Sequence, residues 1–206
     1  MKIAVSFLSI KDNIKEEVNK LDKLDIDYIH VDVMDNIFVP NKTMDIDGFK
    51  NVLDGTLKPK DVHIMVNDVK KYVDNFSILN PEYLTYHYEA ITNHMEVINY
   101  IKSKGIKVGL SIKPNTKVEE IKELLPYIDL VLVMSVEPGM GGQLFLENAI
   151  NKVNTLYELK KDYNYVIEVD GGINLETSKL VDKADILVVG SYITSGDYSE
   201  RIRSLR

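Results

Sequence analysis

His30 and Asp32 stand two residues apart in Tyr28-Ile29-His30-Val31-Asp32-Val33, a run whose β-branched and aromatic content reads as a strand. At that spacing both side chains leave the same face and can grip one ion together. His63 lies in a second such run, Val62-His63-Ile64-Met65-Val66, and Asp170 closes a third, Val166-Ile167-Glu168-Val169-Asp170. Two imidazoles and two carboxylates make a ligand set for one divalent cation of the Zn, Fe, Mn or Co type. A strand histidine taken alone is more often a hydrogen-bonded core residue. Taken together, the four would be costly to bury without a cation, so their joint placement favours a metal. The chain has no cysteine, which leaves histidine and carboxylate as the only metal ligands of this kind.

Three glycine sites offer a different chemistry. Pro138-Gly139-Met140-Gly141-Gly142-Gln143 follows one apolar run, Gly171-Gly172 follows Asp170, and Gly190-Ser191 follows the last run. Glycines let backbone N–H groups approach an anion closely, so three of them gathered at one end of a molecule would bind a phosphate without added lysine or arginine. A single Gly-Gly pair is usually just a turn. Ser6, late in the first run, is a further polar candidate.

Other residues carry less. His87 and Glu89 can support a site or serve structure alone. His94 opens a helix and is expected to be exposed. Met34, Met65 and Met134 have the ordinary reading of core methionines. Lys113 has the look of a Schiff-base lysine, but the following Pro114-Asn115-Thr116 places it in a loop. The charged stretch Lys117 to Glu123 reads as a wet helix face.

These residues need elements to hold them. Eight short apolar runs recur: Ile3 to Leu8, Tyr28 to Val33, Val62 to Val66, Tyr83 to His87, Lys107 to Ile112, Leu130 to Ser135, Val166 to Val169 and Ile186 to Val189. Helical spacing lies between them, as in Ile14, Val18 and Leu21 after a cap candidate at Asp12, and Val118, Ile121 and Leu125 after Asn115-Thr116. Strands alternating with helices imply parallel pairing, and eight such units predict a closed α/β (β/α)8 TIM barrel over residues 1–206 as a single catalytic domain. An open doubly wound sheet is the rival, weakened because no G-x-G-x-x-G follows the first strand. In a barrel, active sites form at the C-terminal strand ends, where Ser6, His30, Asp32, His63 and Asp170 are all expected to point inward. A helix from Tyr198 to Leu205 is expected to close the chain.

A chain of 206 residues with 45% hydrophobic and 28% charged residues has the make-up of one soluble domain. A net charge of −7 argues against a nucleic-acid surface, and no window approaches the roughly eighteen apolar residues of a membrane span. The apolar start, Met1 to Ser9, lacks a small-residue cleavage site and reads as a first strand, so the expectation is a cytoplasmic protein.

The motifs also spell out a likeness. His30-Val31-Asp32-Val33-Met34-Asp35, Phe38-Val39-Pro40-Asn41, Asp61-Val62-His63-Ile64-Met65-Val66, Met134-Ser135-Val136-Glu137-Pro138-Gly139-Met140-Gly141-Gly142-Gln143 and Val169-Asp170-Gly171-Gly172-Ile173 together resemble the ribulose-phosphate 3-epimerase family, in order and over most of the chain. The resemblance implies a TIM barrel that interconverts D-ribulose 5-phosphate and D-xylulose 5-phosphate in the pentose phosphate pathway. It implies His30, Asp32, His63 and Asp170 as metal ligands, with Asp32 and Asp170 also the acid/base pair. It implies substrate contacts at Ser6, His63, Gly139, Met140, Gly141, Gly142, Gly171, Gly172, Gly190 and Ser191, raises the three methionines to substrate-lining residues, and implies a homo-oligomer. Three positions depart from the family's pattern: Val5 stands for a proline, Asn36 for a glycine and Met140 for a phenylalanine.

Inverting a carbon beside a ketone requires one base on each face, passing through an enediolate, and two aspartates from different strands can supply them. The close relative allulose-6-phosphate 3-epimerase shares much of the pattern. A lyase resembling orotidine-phosphate decarboxylase would carry an Asp-x-Lys-x-x-Asp motif, but Val33 and Met34 occupy the stretch after Asp32 and no lysine is present. A barrel that binds a sugar phosphate without turnover would not need the opposed carboxylates.

Overall fold

All eight apolar runs form strands, named here β1 (Lys2–Ser6), β2 (Tyr28–Met34), β3 (Lys60–Met65), β4 (Tyr83–His87), β5 (Lys107–Ile112), β6 (Leu130–Met134), β7 (Val166–Asp170) and β8 (Ile186–Val189). A computed structural model of residues 1–206 pairs them in chain order, every neighbour parallel, with β1 meeting β8 to close the barrel. Closure removes both sheet edges and decides against the open doubly wound sheet.

The strands read as continuous apolar runs because each is covered on both faces. Val31 and Val33 point outward into a core of 47 buried residues between barrel and helices, while His30 and Asp32 point into the lumen. The lumen holds its own apolar plug, with Ala4, Tyr28, Tyr83, Leu130, Leu132, Ile186 and Val188 among its members.

The helices are α1 (Ile14–Leu21), α2 (Ile46–Leu53), α3 (Val69–Ser77), α4 (His94–Ser103), α5 (Val118–Ile121), α6 (Asn148–Leu159), α7 (Thr177–Leu180), α8 (Ser191–Thr194) and α9 (Tyr198–Ser204). Two expected starts move. Asn13 rather than Asp12 caps α1, in a left-handed conformation that asparagine tolerates and without a side-chain cap bond. Lys117 caps α5, which ends after one turn and passes into a 3-10 stretch, Lys122–Tyr127, that contains Pro126. Two short helices, α8 and α9, follow β8 where one was expected. No helix is long and apolar enough to cross a membrane.

Candidate active site

Register assembles the site. Ser6 pairs with His30 across β1 and β2, Asp32 with His63 across β2 and β3, and Met134 with Asp170 across β6 and β7. Ser6, Met134 and Asp170 end their strands while His30, Asp32 and His63 lie inside β2 and β3, and the register between strands still brings the four ligand candidates together in the lumen.

There the sequence's four ligand candidates meet. One donor atom from each of His30, Asp32, His63 and Asp170 lies within 4.8 Å of all the others. Asp32 Oδ1 is 3.3 Å from His30 Nε2 and 3.4 Å from His63 Nδ1, and Asp170 Oδ2 is 3.9 Å from the same His63 nitrogen. Ser6 donates its hydroxyl to Asp32 Oδ2 at 2.6 Å, which fixes the carboxylate with its other oxygen toward the histidines.

The ring nitrogens tell what this cluster is suited to hold. His30 Nδ1 is taken up by Asp61 at 2.5 Å, and His63 Nε2 by His87 Nε2 at 2.8 Å. The opposite nitrogens, His30 Nε2 and His63 Nδ1, are fully buried, have no hydrogen-bond partner and point into the Asp32 and Asp170 cluster. Two buried ring nitrogens without a partner cost free energy that a cation would recover by taking the place of any proton there, so the donor set fits a divalent metal ion.

The two aspartates sit in opposed electrostatic environments. Burial works against ionising Asp32, but the His30 and His63 rings outweigh it and hold the carboxyl well below the usual range. Burial and the nearby Asp32 charge push Asp170 up to about 6. Burial likewise opposes protonation of His30, yet the Asp32 and Asp61 carboxylates raise its pKa well above the ordinary value.

Above the cluster a cleft encloses about 550 Å³, open solvent included. Ser6, Asp32, Asp170, Gly139, Met140, Gly141, Gly142, Gly171, Gly172, Gly190 and Ser191 all line it. His30 and His63 lie behind this lining, fully buried. Met34, Met65 and Met134 also line the cleft, each nearly buried, so they form its apolar floor as well as core. No lysine or arginine lines it. The N–H groups of Gly142, Gly171 and Gly172 donate to no protein acceptor and remain available to a ligand.

The β7 loop demands glycine. Gly172 has φ of +62°, and an added Cβ would come within 2.6 Å of the Phe145 nitrogen. Ser135 ties the loop down by donating to the Asp170 and Gly171 carbonyls at 2.9 and 2.6 Å. The departures from the family pattern touch the periphery. Val5 is core, Asn36 takes a left-handed φ of 61° that asparagine accepts in place of glycine, and Met140 stands exposed at the rim.

Some expectations change. His94 is half-buried rather than exposed, stacked on Tyr88 with ring centroids 4.6 Å apart. Lys113 lies off the cleft with its ammonium 4.0 Å from the Phe38 ring centroid, and that position removes the Schiff-base reading. Asp61 and Glu168 were not singled out in the sequence, yet both are fully buried below the cluster and can share one ion-sized space with His30. Each stands two residues before a ligand candidate, so the spacing that linked His30 to Asp32 was also there to find them.

The Ribulose-phosphate 3 epimerase family model matches residues 2–194. A ribulose-phosphate 3-epimerase of Helicobacter pylori is 40% identical over 94% of this chain and 90% of its own length. That of Methanocaldococcus jannaschii is 38% identical over 100% and 90%, and that of Treponema pallidum 39% identical over 82% and 79%. Among solved structures, N-(5'-phosphoribosyl)anthranilate isomerase from Pyrococcus furiosus superposes with a TM-score of 0.68 at 14% identity, covering 100% of this chain and 96% of that one. The tryptophan synthase alpha subunit from Campylobacter jejuni does so with 0.63 at 16%, covering 100% and 95%. At such identities these two speak to the barrel alone.

Proposed function

Since the chain belongs to the ribulose-phosphate 3-epimerase family, we propose that it interconverts D-ribulose 5-phosphate and D-xylulose 5-phosphate by moving a proton on and off the carbon beside the ketone. The observation that carries this reading is the pair of aspartates that converge on one cleft from distant strands. Asp32 and Asp170 come from β2 and β7 to line one cleft, where each can act as a base and, once it has taken a proton, as an acid.

In one direction the Asp32 carboxylate removes the C3 proton, the bonding pair moves toward the carbonyl, and an enediolate forms. The Asp170 carboxylic acid then returns a proton to C3 from the other face, leaving Asp32 protonated and Asp170 ionised; the reverse reaction exchanges the roles. Ser6 keeps Asp32 oriented through the transfer. His30, Asp32, His63 and Asp170 would hold one divalent ion, Zn, Fe, Mn or Co, whose charge, when bound, stabilises the enediolate oxygens. The N–H groups around Gly142, Gly171 and Gly172, with Gly190 and Ser191, would receive the phosphate, which explains how an acidic chain with no basic residue in its cleft takes an anionic substrate. Gly139, Met140 and Gly141 border the sugar, and the methionine floor excludes water from the reacting carbons. The same reading makes the protein a cytoplasmic homo-oligomer without a nucleic-acid partner.

The test is epimerisation of ribulose 5-phosphate and of allulose 6-phosphate, each with added metal and with chelator. Metal-dependent turnover with a preference for the pentulose is expected. Turnover of allulose 6-phosphate alone would reassign the substrate, and turnover of neither would leave a binding barrel.

A further inference from the structure

Behind His63 the hydrogen bonds continue away from the cleft. His63 Nε2 meets His87 Nε2 at 2.8 Å, and His87 Nδ1 faces Glu89 Oε2 at 3.4 Å. Glu89 is anchored in turn, since its Oε1 accepts the Lys113 N–H at 2.8 Å and the Thr116 hydroxyl. Both histidines are fully buried, and the Phe38 ring packs on His87 with centroids 4.9 Å apart. The substrate chemistry uses neither His87 nor Glu89, and neither lines the cleft.

The directions of these bonds follow from proton counting. A carboxylate only accepts, so His87 donates Nδ1–H to Glu89 and, as a neutral imidazole, presents Nε2 as an acceptor. His63 must then donate Nε2–H, which leaves the Nδ1 lone pair aimed at Asp32 and Asp170, where it has no partner. Every proton in the chain is accounted for by one arrangement, and that arrangement turns His63 into a ligand.

We propose that His87 and Glu89 are positioning residues that fix the tautomer and ring plane of His63, so that the β4 end of the barrel sets the affinity and geometry of the metal site. The inference rests on the metal reading given above. It gives β4 and the loop after β5 a share in a site to which they contribute no ligand, and it separates His63 from His30, whose far nitrogen is held by a carboxylate, Asp61, instead of a neutral ring.

The test uses metal-free full-length protein titrated with Co(II), read by a competing chromophoric chelator for affinity and by the visible spectrum for ligand geometry. His87→Leu removes the acceptor and frees the His63 ring, and should weaken Co(II) binding about ten- to a hundredfold and change the visible bands. His87→Gln restores an acceptor oxygen and should recover most of the affinity. Glu89→Ala, which leaves His87 free to turn, should fall between them. Thermal melting of each metal-free variant shows which are folded, and the comparison is read among those. Parental affinity and spectrum in His87→Leu, or equal losses in His87→Gln and His87→Leu at equal thermal stability, would overturn the relay. A parent protein that binds no Co(II) would overturn the metal reading itself, a different failure that the same titration distinguishes.

Discussion

Asp170 is costly to ionise in the metal-free protein because burial and the Asp32 charge both oppose it. Its folded pKa of about 6 stands above the ordinary 3.8, a gap on the order of 3 kcal/mol. For a carboxyl with a raised folded pKa, the penalty is absent below the unfolded value and complete above the folded one. The metal-free protein should therefore lose stability from this residue between about pH 4 and pH 6. Asp170→Asn removes the charge, and in metal-free denaturant unfolding it should stabilise the protein by about 1–3 kcal/mol at pH 8 and by little at pH 4. The same substitution should cut turnover by a factor of a thousand or more, as should Asp32→Asn, each with an unchanged far-UV spectrum. Near-normal turnover in either would end the acid/base assignment. An Asp170→Asn variant less stable than the parent at pH 8 would show that Asp170 makes a favourable contact that outweighs its burial.

At the scale of elements, β4, β5 and β8 are found over the residues their sequences mark. Strands buried on both faces are bounded where the apolar run stops, and that boundary is local. Helix starts depend on which side chain reaches which N–H, so Asn13 displaced Asp12 and Pro126 turned the end of α5 into a 3-10 stretch. The convergence of His30, Asp32, His63 and Asp170 was legible because alternation along a strand fixes a face without knowledge of the neighbours. The partners of those side chains were less so. Nothing local says that Asp61 faces His30 or that His87 faces His63, because the register between strands decides it. The glycine loops were legible as turns, and only the closeness of Phe145 to Gly172 shows why that turn excludes a side chain. Gly172→Ala places a Cβ against backbone at a φ of +62°, so the loop must shift at a cost of about 1–3 kcal/mol. The expected outcome is a rise in KM for the sugar phosphate of about tenfold or more and a matching loss of inhibition by inorganic phosphate. Unchanged phosphate inhibition would move the anion site away from β7.

The whole molecule separates folding from metal binding. Its barrel closes through eight parallel pairings around an apolar plug, and its 47-residue outer core owes nothing to a cation. A chelated protein should therefore keep its far-UV spectrum, unlike small domains whose fold is the metal site. It should still melt earlier. An ion that binds only the folded state adds about 2.7 kcal/mol at a hundred times its Kd, which in a chain of this length corresponds to roughly 5–10 °C. The increment should be larger at pH 8 than at pH 5, because a bound cation offsets the Asp170 charge that burial opposes, and that charge is present only above about pH 6. Calorimetry at both pH values, with chelator and then with saturating Mn(II) or Zn(II), measures the difference. A melting temperature indifferent to metal at pH 8 would mean that the four converging side chains hold no ion, and the unpartnered ring nitrogens of His30 and His63 would then need another partner.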